Sequence, residues 1–264
     1  MRYIFDNDLH IHSQISTCSR DPEQNNERIL QYAVDNDLKT ICLTDHFWDS
    51  AVEGADCWYE PQNYDHIAQA KPLPQTEDVR FLWGCEAELN RHFTLGLARE
   101  KFDLFDFIII PTTHLHMKGM TISEEDAASV EGRAKVWLQR LDAVLNMDLP
   151  FKKVGIAHLT CPLIAPTREE YLQVLQLLPA EELERLFKKA AELGVGIELN
   201  ATDMNFGDEE ANIVLRIFKI AKQCGCKFYC GSDAHHPKKF EIVKALFERA
   251  FELLDLTEDD KFRI

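Results

Sequence analysis

The sequence lacks the features of membrane and secreted proteins. No apolar run reaches the roughly 18 residues that a membrane-spanning helix needs, and the start, MRYIFDNDLH, has neither the basic nor the apolar segment of a secretory signal. Internal repeats and low-complexity linkers are also absent. We therefore expect a cytoplasmic protein with no membrane association, in which residues 1–264 form a single domain.

Familiar nucleophile and nucleotide motifs are missing as well. The sequence has no GxSxG turn, no GxxxxGK[ST] loop and no catalytic-cysteine context. Its eight cysteines are scattered, and several lie in apolar segments where cysteine behaves as a small hydrophobic residue. Cys224-Gly-Cys226 lacks the two-residue spacer and the second pair that are typical of a metal or redox site. Free thiols in a reducing compartment are expected.

Basic residues are outnumbered by acidic ones. The chain has 29 Lys and Arg against 45 Asp and Glu, which gives a formal net charge of −16. An acidic surface repels polyanions, so long nucleic acid is not expected as a substrate. A small phosphate ester remains compatible with this charge, because bound cations can reverse the potential inside a pocket.

Seven apolar segments alternate with helical patterns. Most of the apolar segments are continuous, as is typical of parallel strands covered on both faces, and the alternation predicts an α/β fold of right-handed βαβ units. Seven units instead of eight indicate an incomplete or distorted barrel. The segment 49–79 is expected to be an irregular excursion that partly covers the site. The predicted strands are 7–11, 40–43, 80–84, 106–110, 153–157, 195–199 and 227–231, and the predicted helices are 27–34, 124–145, 168–178, 180–193, 208–223 and 239–254.

Residues of metal-binding type follow the predicted strands. In Asp8-Leu-His10-Ile-His12 the two histidines are two positions apart on an extended strand, so both imidazoles point to the same side and can bind one cation. Strand ends meet at one face of a β/α barrel, where reactive residues gather. The sequence therefore predicts one pocket and a metal-dependent hydrolase. The other residues of this kind are Asp45-His46, Glu86, His114, His158 and Asp233-Ala-His235.

In their order along the chain, these motifs resemble those of the PHP (polymerase and histidinol phosphatase) family. The resemblance covers residues 8 to 235, nearly the whole chain, and the ordered set is far more specific than any one motif. The matching elements are His10-x-His12, Thr44-Asp45-His46, Gly84-Cys85-Glu86-Ala87-Glu88, His114 after an Ile-rich strand, Gly155-Ile156-Ala157-His158 and Gly231-Ser232-Asp233-Ala234-His235.

The resemblance implies a distorted (β/α)7 barrel, parallel strands with helices outside, and two or three divalent metal ions. Imidazole and carboxylate ligands suit zinc, manganese or iron, and closely spaced cations need a bridging carboxylate. Asp8 and Asp45 are expected to orient ligands by hydrogen bonds, and Glu88 either does the same or is an outward-facing strand residue. The implied ligand sets are His10, His12, Glu86 and Asp233 for the first metal, His46 and His235 for the second, and Glu86, His114 and His158 for the third.

The chain departs from the family pattern at Cys18. The family often has His or Asp at this position as another ligand of the second metal. Three alternatives remain open: the Cys18 thiolate binds zinc, Asp21 substitutes for it, or the site lacks this ligand.

The resemblance favours a phosphatase that acts on a small phosphomonoester through a metal-activated water. Histidinol phosphate, with a place in histidine biosynthesis, is the leading named substrate. Nucleotide or short-oligonucleotide phosphoesters are the near alternative; an amidohydrolase-like C–N hydrolase and a catalytically degenerate PHP module are the distant ones. A phosphatase usually adds a side chain that holds the phosphate. The basic candidates, each balanced against an ordinary surface charge, are Arg20, Lys118 and Arg168, and Asn200 at the end of the sixth strand is a further candidate.

Overall fold

The computed structural model describes residues 1–264 and contains nine strands, and every pairing between them is parallel. Each strand begins within two residues of a predicted apolar segment or lies in a short continuation of one. The strands are Asn7–Ile11 (β1), Thr40–Leu43 (β2), His46–Phe47 (β3), Arg80–Trp83 (β4), Cys85–Ala87 (β5), Ile108–Pro111 (β6), Val154–Ala157 (β7), Gly196–Asn200 (β8) and Lys227–Gly231 (β9).

Seven α-helices connect or follow the strands. Side chains of Asn25, Ser129 and Thr167 accept hydrogen bonds from backbone N–H groups in the first turn of their helices. No helix is both long and apolar enough to cross a membrane. The helices are Asn26–Asp35 (α1), Tyr64–Ile67 (α2), Val130–Leu145 (α3), Arg168–Leu177 (α4), Ala180–Leu193 (α5), Ala211–Gln223 (α6) and Phe240–Leu253 (α7).

The strands occupy seven positions around a distorted barrel. β2 and β3 are two stretches of one position, as are β4 and β5, and the interruptions divide the strands into sheets ordered β1-β2-β4 and β3-β5-β6-β7-β8-β9. The first and last positions meet where His12 N–H donates to Ala234 O (3.1 Å) and Asp233 N–H donates to His10 O (2.7 Å). The α/β fold and the distorted (β/α)7 barrel are confirmed.

The junction between β1 and β9 accounts for part of the distortion. Side chains replace backbone carbonyls here: Asn7 Oδ1 accepts from Cys230 N–H (3.1 Å), and Asp8 Oδ1 accepts from Ser232 N–H (2.9 Å). The regular ladder is therefore interrupted at the place where the barrel closes. The same carboxylate accepts a hydrogen bond from Tyr32 of α1 at 2.9 Å.

A main hydrophobic core of 66 buried residues lies between the strands and the surrounding helices. A second cluster packs side chains from six different strands against one another, so it fills the barrel interior below the strand ends. The polar residues at the strand ends therefore lie above a closed apolar floor. The interior cluster consists of Leu9, Cys42, Leu82, Phe107, Ile109, Ala157, Tyr229 and Phe262.

Two local predictions differ from the structure. The helix predicted over 124–145 begins at Val130, because Ser129 caps it and residues Asp126–Ala128 form a separate 3₁₀ turn. The segment 49–79, expected to be irregular, contains the short helix α2. Trp58 and Tyr59, which precede this helix, line the cavity beside the site.

Candidate metal centre

The eight predicted metal ligands lie together at the C-terminal ends of the strands. Seven of them form three donor groups, and within each group one ligand atom per residue lies within 4.8 Å of the others. Asp233 adjoins the second group, since its Oδ1 atom lies 3.5 Å from His10 Nε2 and 3.3 Å from His12 Nε2. The groups are His12, His46 and His235; His10, His12 and Glu86; and Glu86, His114 and His158.

Two of the histidines are held by carboxylates. His10 Nδ1 lies 2.7 Å from Glu198 Oε1, and His114 Nδ1 lies 2.7 Å from Glu88 Oε2. An ionised carboxylate only accepts hydrogen bonds, so each Nδ1 carries the hydrogen. The Nε2 atom of each ring is then the one that faces the centre with a lone pair in the neutral form.

Three further histidines have the same orientation. His12 Nδ1 donates to Ser16 Oγ (3.0 Å), whose hydroxyl is committed to Asp45 Oδ1 (2.7 Å). His158 Nδ1 lies 2.8 Å from Thr113 Oγ1, and His235 Nδ1 lies 3.0 Å from a backbone carbonyl. Five imidazoles are therefore held by Nδ1, and the Nε2 atoms of four of them, His10, His12, His114 and His158, lie within 4.0 Å of Glu86.

The inward-facing atoms fit a bound cation. His10 Nε2 and His12 Nε2 are 3.0 Å apart, which brings two ring lone pairs together when both rings are neutral. Glu86 Oε2 and His46 Nδ1 are buried and lie 2.8 Å apart. Their angles do not allow a hydrogen bond, so neither atom has a hydrogen-bond partner. Buried polar atoms without partners are costly, and imidazole with carboxylate is the donor set of zinc, manganese and iron.

The charges of the cluster also favour cations. Burial opposes ionisation of Glu86, but the neighbouring His46 and His10 hold the pKa of its carboxyl well below the usual range. Burial likewise opposes protonation of His158, but the hydrogen bond to Glu86 raises its pKa to about 9. A proton held in this way occupies the place of a metal ion, and metal binding would release it.

Two of the predicted ligands have unusual backbone geometry. His158 has a φ of 32° and Asp233 a φ of 52°, both in the left-handed region that side-chain-bearing residues rarely adopt. His158 comes directly after β7, and Asp233 lies two residues after the end of β9. His158 is held there by a hydrogen bond from its N–H to Glu198 Oε2 (2.6 Å). Such strain clusters at functional sites.

The three expected supporting carboxylates have different roles. Glu88 holds His114 directly, and Asp45 holds His12 through Ser16. Asp8 touches no imidazole, contrary to expectation; it accepts from Ser232 N–H, Tyr32 O–H and the His10 backbone N–H. Because Asp8 lies where β1 meets β9, its carboxylate is used to close the barrel.

Glu198 is the supporting residue that sequence reasoning missed. It is fully buried in β8, where it accepts hydrogen bonds from the His10 ring and from the His158 backbone. A charged residue in the middle of the otherwise apolar segment Gly196–Asn200 was the available signal, since such residues are seldom fully buried without partners.

The two alternatives for the missing second-metal ligand are placed differently. Cys18 lies in the wall of the cavity beside the centre, but it belongs to none of the three donor groups. Asp21 is turned away and pairs with His236, with Asp21 Oδ2 2.6 Å from His236 Nε2. The structure therefore places Cys18 near the centre and Asp21 outside it.

The candidate phosphate-binding residues also separate. Lys118 lines the cavity. Arg168 lies outside it, where its guanidinium pairs with Glu210 and stacks on Tyr171. Asn200 is fully buried and donates to Glu198 (3.2 Å) and Asp233 (3.5 Å), so it supports the centre from below. Arg20 is exposed and does not line the cavity.

The centre opens into a cavity of about 730 Å³. Its lining combines metal-type residues with apolar ones, including Trp58 from the excursion over 49–79. This combination of metal-type and apolar residues suits a small organic ligand with one charged group. The lining residues are Cys18, His46, Asp56, Trp58, Tyr59, His114, His116, Met117, Lys118, Met120, Leu163, Asp233 and His235.

Comparison with known proteins identifies the family. The sequence profile of the PHP domain matches residues 8–202, which is most of the chain and carries five of the six predicted motifs. The chain belongs to the PHP family. As a member, the protein is a metal-dependent phosphoesterase, and its His and Glu clusters fit divalent metal ions. No curated protein sequence matches the chain.

A solved structure shares this fold. Histidinol phosphate phosphatase from Lactococcus lactis subsp. lactis, crystallised with zinc, L-histidinol and phosphate, superposes with a TM-score of 0.65 over 98% of this chain and 99% of that chain, at 17% identity. A probable 2-pyrone-4,6-dicarboxylic acid hydrolase from Acinetobacter baumannii gives a TM-score of 0.46 at 13% identity, over 97% of each chain. The second likeness is too distant to inform the function.

Proposed function

We propose that this PHP-family protein hydrolyses a small phosphomonoester to an alcohol and inorganic phosphate. The observation that supports this most is the convergence of five imidazole nitrogens on the buried carboxylate of Glu86, whose two oxygens serve different donor groups. These nitrogens are the Nε2 atoms of His10, His12, His114 and His158 and the Nδ1 atom of His46. When bound, two or three divalent cations would lower the pKa of a water, hold the phosphate oxygens and neutralise the leaving oxygen.

The proposed ligands are the seven residues of the three donor groups, together with Asp233. His10, His12, Glu86 and Asp233 would hold one ion; His46 and His235 a second; and Glu86, His114 and His158 a third. Glu86 would bridge, since its Oε2 lies 3.3 Å from His12 Nε2 and its Oε1 lies 3.2 Å from His158 Nε2. Zinc, manganese and iron are the proposed metals.

Other side chains would bind and orient the substrate. Lys118 stands at the cavity wall and supplies a cation for the phosphate. Burial, followed by the charge of His114, lowers the pKa of His116 to about 4, so this cavity residue is neutral at neutral pH and offers a hydrogen bond without adding charge. Trp58, Met117 and Leu163 provide an apolar surface for the leaving group and exclude water from it.

Histidinol phosphate is the proposed substrate, with a role in histidine biosynthesis. The Lactococcus protein of similar fold binds L-histidinol and phosphate, and the cavity offers an aromatic wall beside the carboxylate of Asp56, which suits a flat ring and an amine. The net charge of −16 argues against long nucleic acid, whereas nucleotides and short oligonucleotides remain the near alternative.

Two further proposals concern the chain as a whole. Residues 1–264 are proposed to act as one domain, since the main core cluster includes residues from Tyr3 to Leu256. A reducing, cytoplasmic compartment is proposed because all eight cysteines are free thiols.

A phosphate-release assay tests this function. Metal-loaded protein is incubated with histidinol phosphate, nucleoside monophosphates, sugar phosphates and single-stranded DNA, with and without a chelator. We expect chelator-sensitive phosphate release that is fastest with histidinol phosphate. Efficient DNA cleavage without release from any monoester would replace the phosphatase with a nuclease. Activity that persists in full after chelation and dialysis would contradict the metal-dependent mechanism.

A further inference from the structure

Arg140 is a buried charge that the proposed ligand sets do not use. It lies on α3, on the outside of the barrel, and its side chain is completely buried. The guanidinium reaches inward to the segments after β5 and β6, the strands that precede Glu88 and His114. It donates to the carbonyl oxygens of Thr112 (2.9 Å), Leu89 (2.7 Å), Thr121 (3.0 Å) and Pro111 (3.1 Å).

Arg140 has one side-chain partner, Glu88, to which it forms a salt bridge with Arg140 Nη2 3.0 Å from Glu88 Oε1. The same oxygen accepts from Leu89 N–H (2.8 Å), while Oε2 accepts from His114 Nδ1 (2.7 Å) and from the Tyr59 hydroxyl (2.9 Å). Four donors therefore saturate the carboxylate. Glu88 has no lone pair left for a metal ion, and its position is fixed from four directions.

Arg140 is thus joined to His114 by an unbroken chain of hydrogen bonds. Guanidinium groups stay protonated in proteins and present a rigid fork of donors, which makes them suited to fixing a carboxylate. Carboxylates that hold the outer nitrogen of a metal-binding histidine set its tautomer and ring orientation. Tyr59 joins the chain from the excursion over 49–79, so the cavity wall and His114 share one anchor.

We propose that Arg140 is a positioning residue, which through Glu88 holds His114 in the Nδ1-protonated form with Nε2 directed at the group of Glu86, His114 and His158. The proposal rests on the proposed metal centre for its effect on metal binding. The effect of Arg140 on the orientation of the His114 ring can be measured in metal-free protein, so it does not depend on the proposed function.

Arg133 provides a matched control on the same helix. It is also buried, and it donates to three backbone carbonyls: Leu115 O (2.9 Å), Ile164 O (2.7 Å) and Ala127 O (2.9 Å). It has no carboxylate partner and no hydrogen bond to a histidine. Replacement of Arg133 should therefore weaken the fold in the same way as replacement of Arg140 without disturbing His114.

The test uses Arg140→Met, Glu88→Gln and Arg133→Met in the full-length protein. In Glu88→Gln the amide oxygen should stay with Arg140 and Leu89 N–H, which turns the NH₂ group towards His114 and drives the ring to its Nε2-protonated form. In Arg140→Met the carboxylate loses its fixed position. The two readouts are ¹⁵N shifts of ring-labelled histidines in metal-free protein and the affinity for zinc measured by chelator competition.

We expect wild type and Arg133→Met to show the Nδ1-protonated form at His114 and the same zinc affinities. Arg140→Met and Glu88→Gln should lose that form, and their weakest zinc ion should dissociate about 10–100-fold more readily. Wild-type His114 shifts and wild-type zinc affinity in both variants would overturn the proposal. If wild type bound no metal, the proposed function would fail, while the His114 shifts would still decide the role of Arg140.

Discussion

Replacement of Glu198 by Gln tests the support of the centre most sharply. The carboxylate accepts from His10 Nδ1 at Oε1 (2.7 Å), and from His158 N–H (2.6 Å) and Asn200 Nδ2 (3.2 Å) at Oε2. A glutamine can present an oxygen to only one side. If the glutamine oxygen keeps the hydrogen bonds from His158 N–H and Asn200 Nδ2, its NH₂ group faces His10 Nδ1. Two N–H donors would then point at each other.

The cost of this change follows from the bonds that are lost. An unsatisfied buried donor costs about 1–3 kcal/mol in the free energy of unfolding, so the orientation that loses one bond is preferred over the one that loses two. His10 can relieve the clash by moving its hydrogen to Nε2, which removes the lone pair that faces His12. We therefore expect at most about 3 kcal/mol of destabilisation, and about a 10–100-fold loss of zinc affinity at the His10 group.

The assay combines chemical denaturation of the metal-free protein with zinc competition and ¹⁵N spectra of the histidine rings. Glu210→Gln is the control, because Glu210 pairs with Arg168 outside the cavity. Wild-type zinc affinity in Glu198→Gln, together with a hydrogen that remains on His10 Nδ1, would refute the reasoning.

Three other changes follow from the structure. Glu86→Gln should lower the metal content measured by elemental analysis and abolish most activity, while the circular dichroism spectrum stays that of the wild type. The reason is that an amide cannot supply the negative charge that two donor groups share, and full metal content would contradict the bridge. Gly231→Ala should reduce both stability and zinc affinity, because the new methyl group would collide with the Glu198 carboxylate and lie 2.7 Å from His10 Cβ. An unchanged melting temperature would contradict this prediction. Burial raises the pKa of Asp203 from 3.8 to about 7, so the folded state binds the Asp203 proton more tightly than the unfolded state does. The protonated side chain therefore adds to the free energy of unfolding below pH 3.8, and this contribution is lost as the pH rises to 7. The difference in unfolding free energy between metal-free wild type and Asp203→Asn should thus fall by about 4 kcal/mol over that range, and a difference independent of pH would disprove the shift.

The fold was predictable because its signals are local. Parallel strands buried on both faces leave continuous apolar runs, and α5 was predicted at its observed bounds, since Gly194 follows it with a φ of 74°. The start of α3 was predicted six residues too early, because the acidic stretch before Ser129 has helical propensity while the cap and a 3₁₀ turn decide the actual boundary.

The residues at the strand ends were also predictable, because the barrel topology brings consecutive strand ends to one face. Among their supports, Asp45 and Glu88 were expected because each lies next to a predicted ligand motif, whereas Glu198 and Arg140 were not. Glu198 and Arg140 act on histidines 188 and 26 positions away in the sequence, respectively, and such pairings depend on which strands become neighbours. Arg168 shows the converse, since its guanidinium looked available in the sequence but is taken up by Glu210 from a segment that follows β8.

The central claim is that the inward-facing histidines and Glu86 form a divalent metal centre. Crystals of zinc-loaded protein, measured at the zinc absorption edge, would locate every bound ion by anomalous scattering. We expect peaks between His10 and His12 beside Glu86, and between Glu86, His114 and His158, at zinc–nitrogen distances of about 2.0–2.1 Å. Zinc at the surface alone, with no peak within reach of Glu86, would contradict the claim.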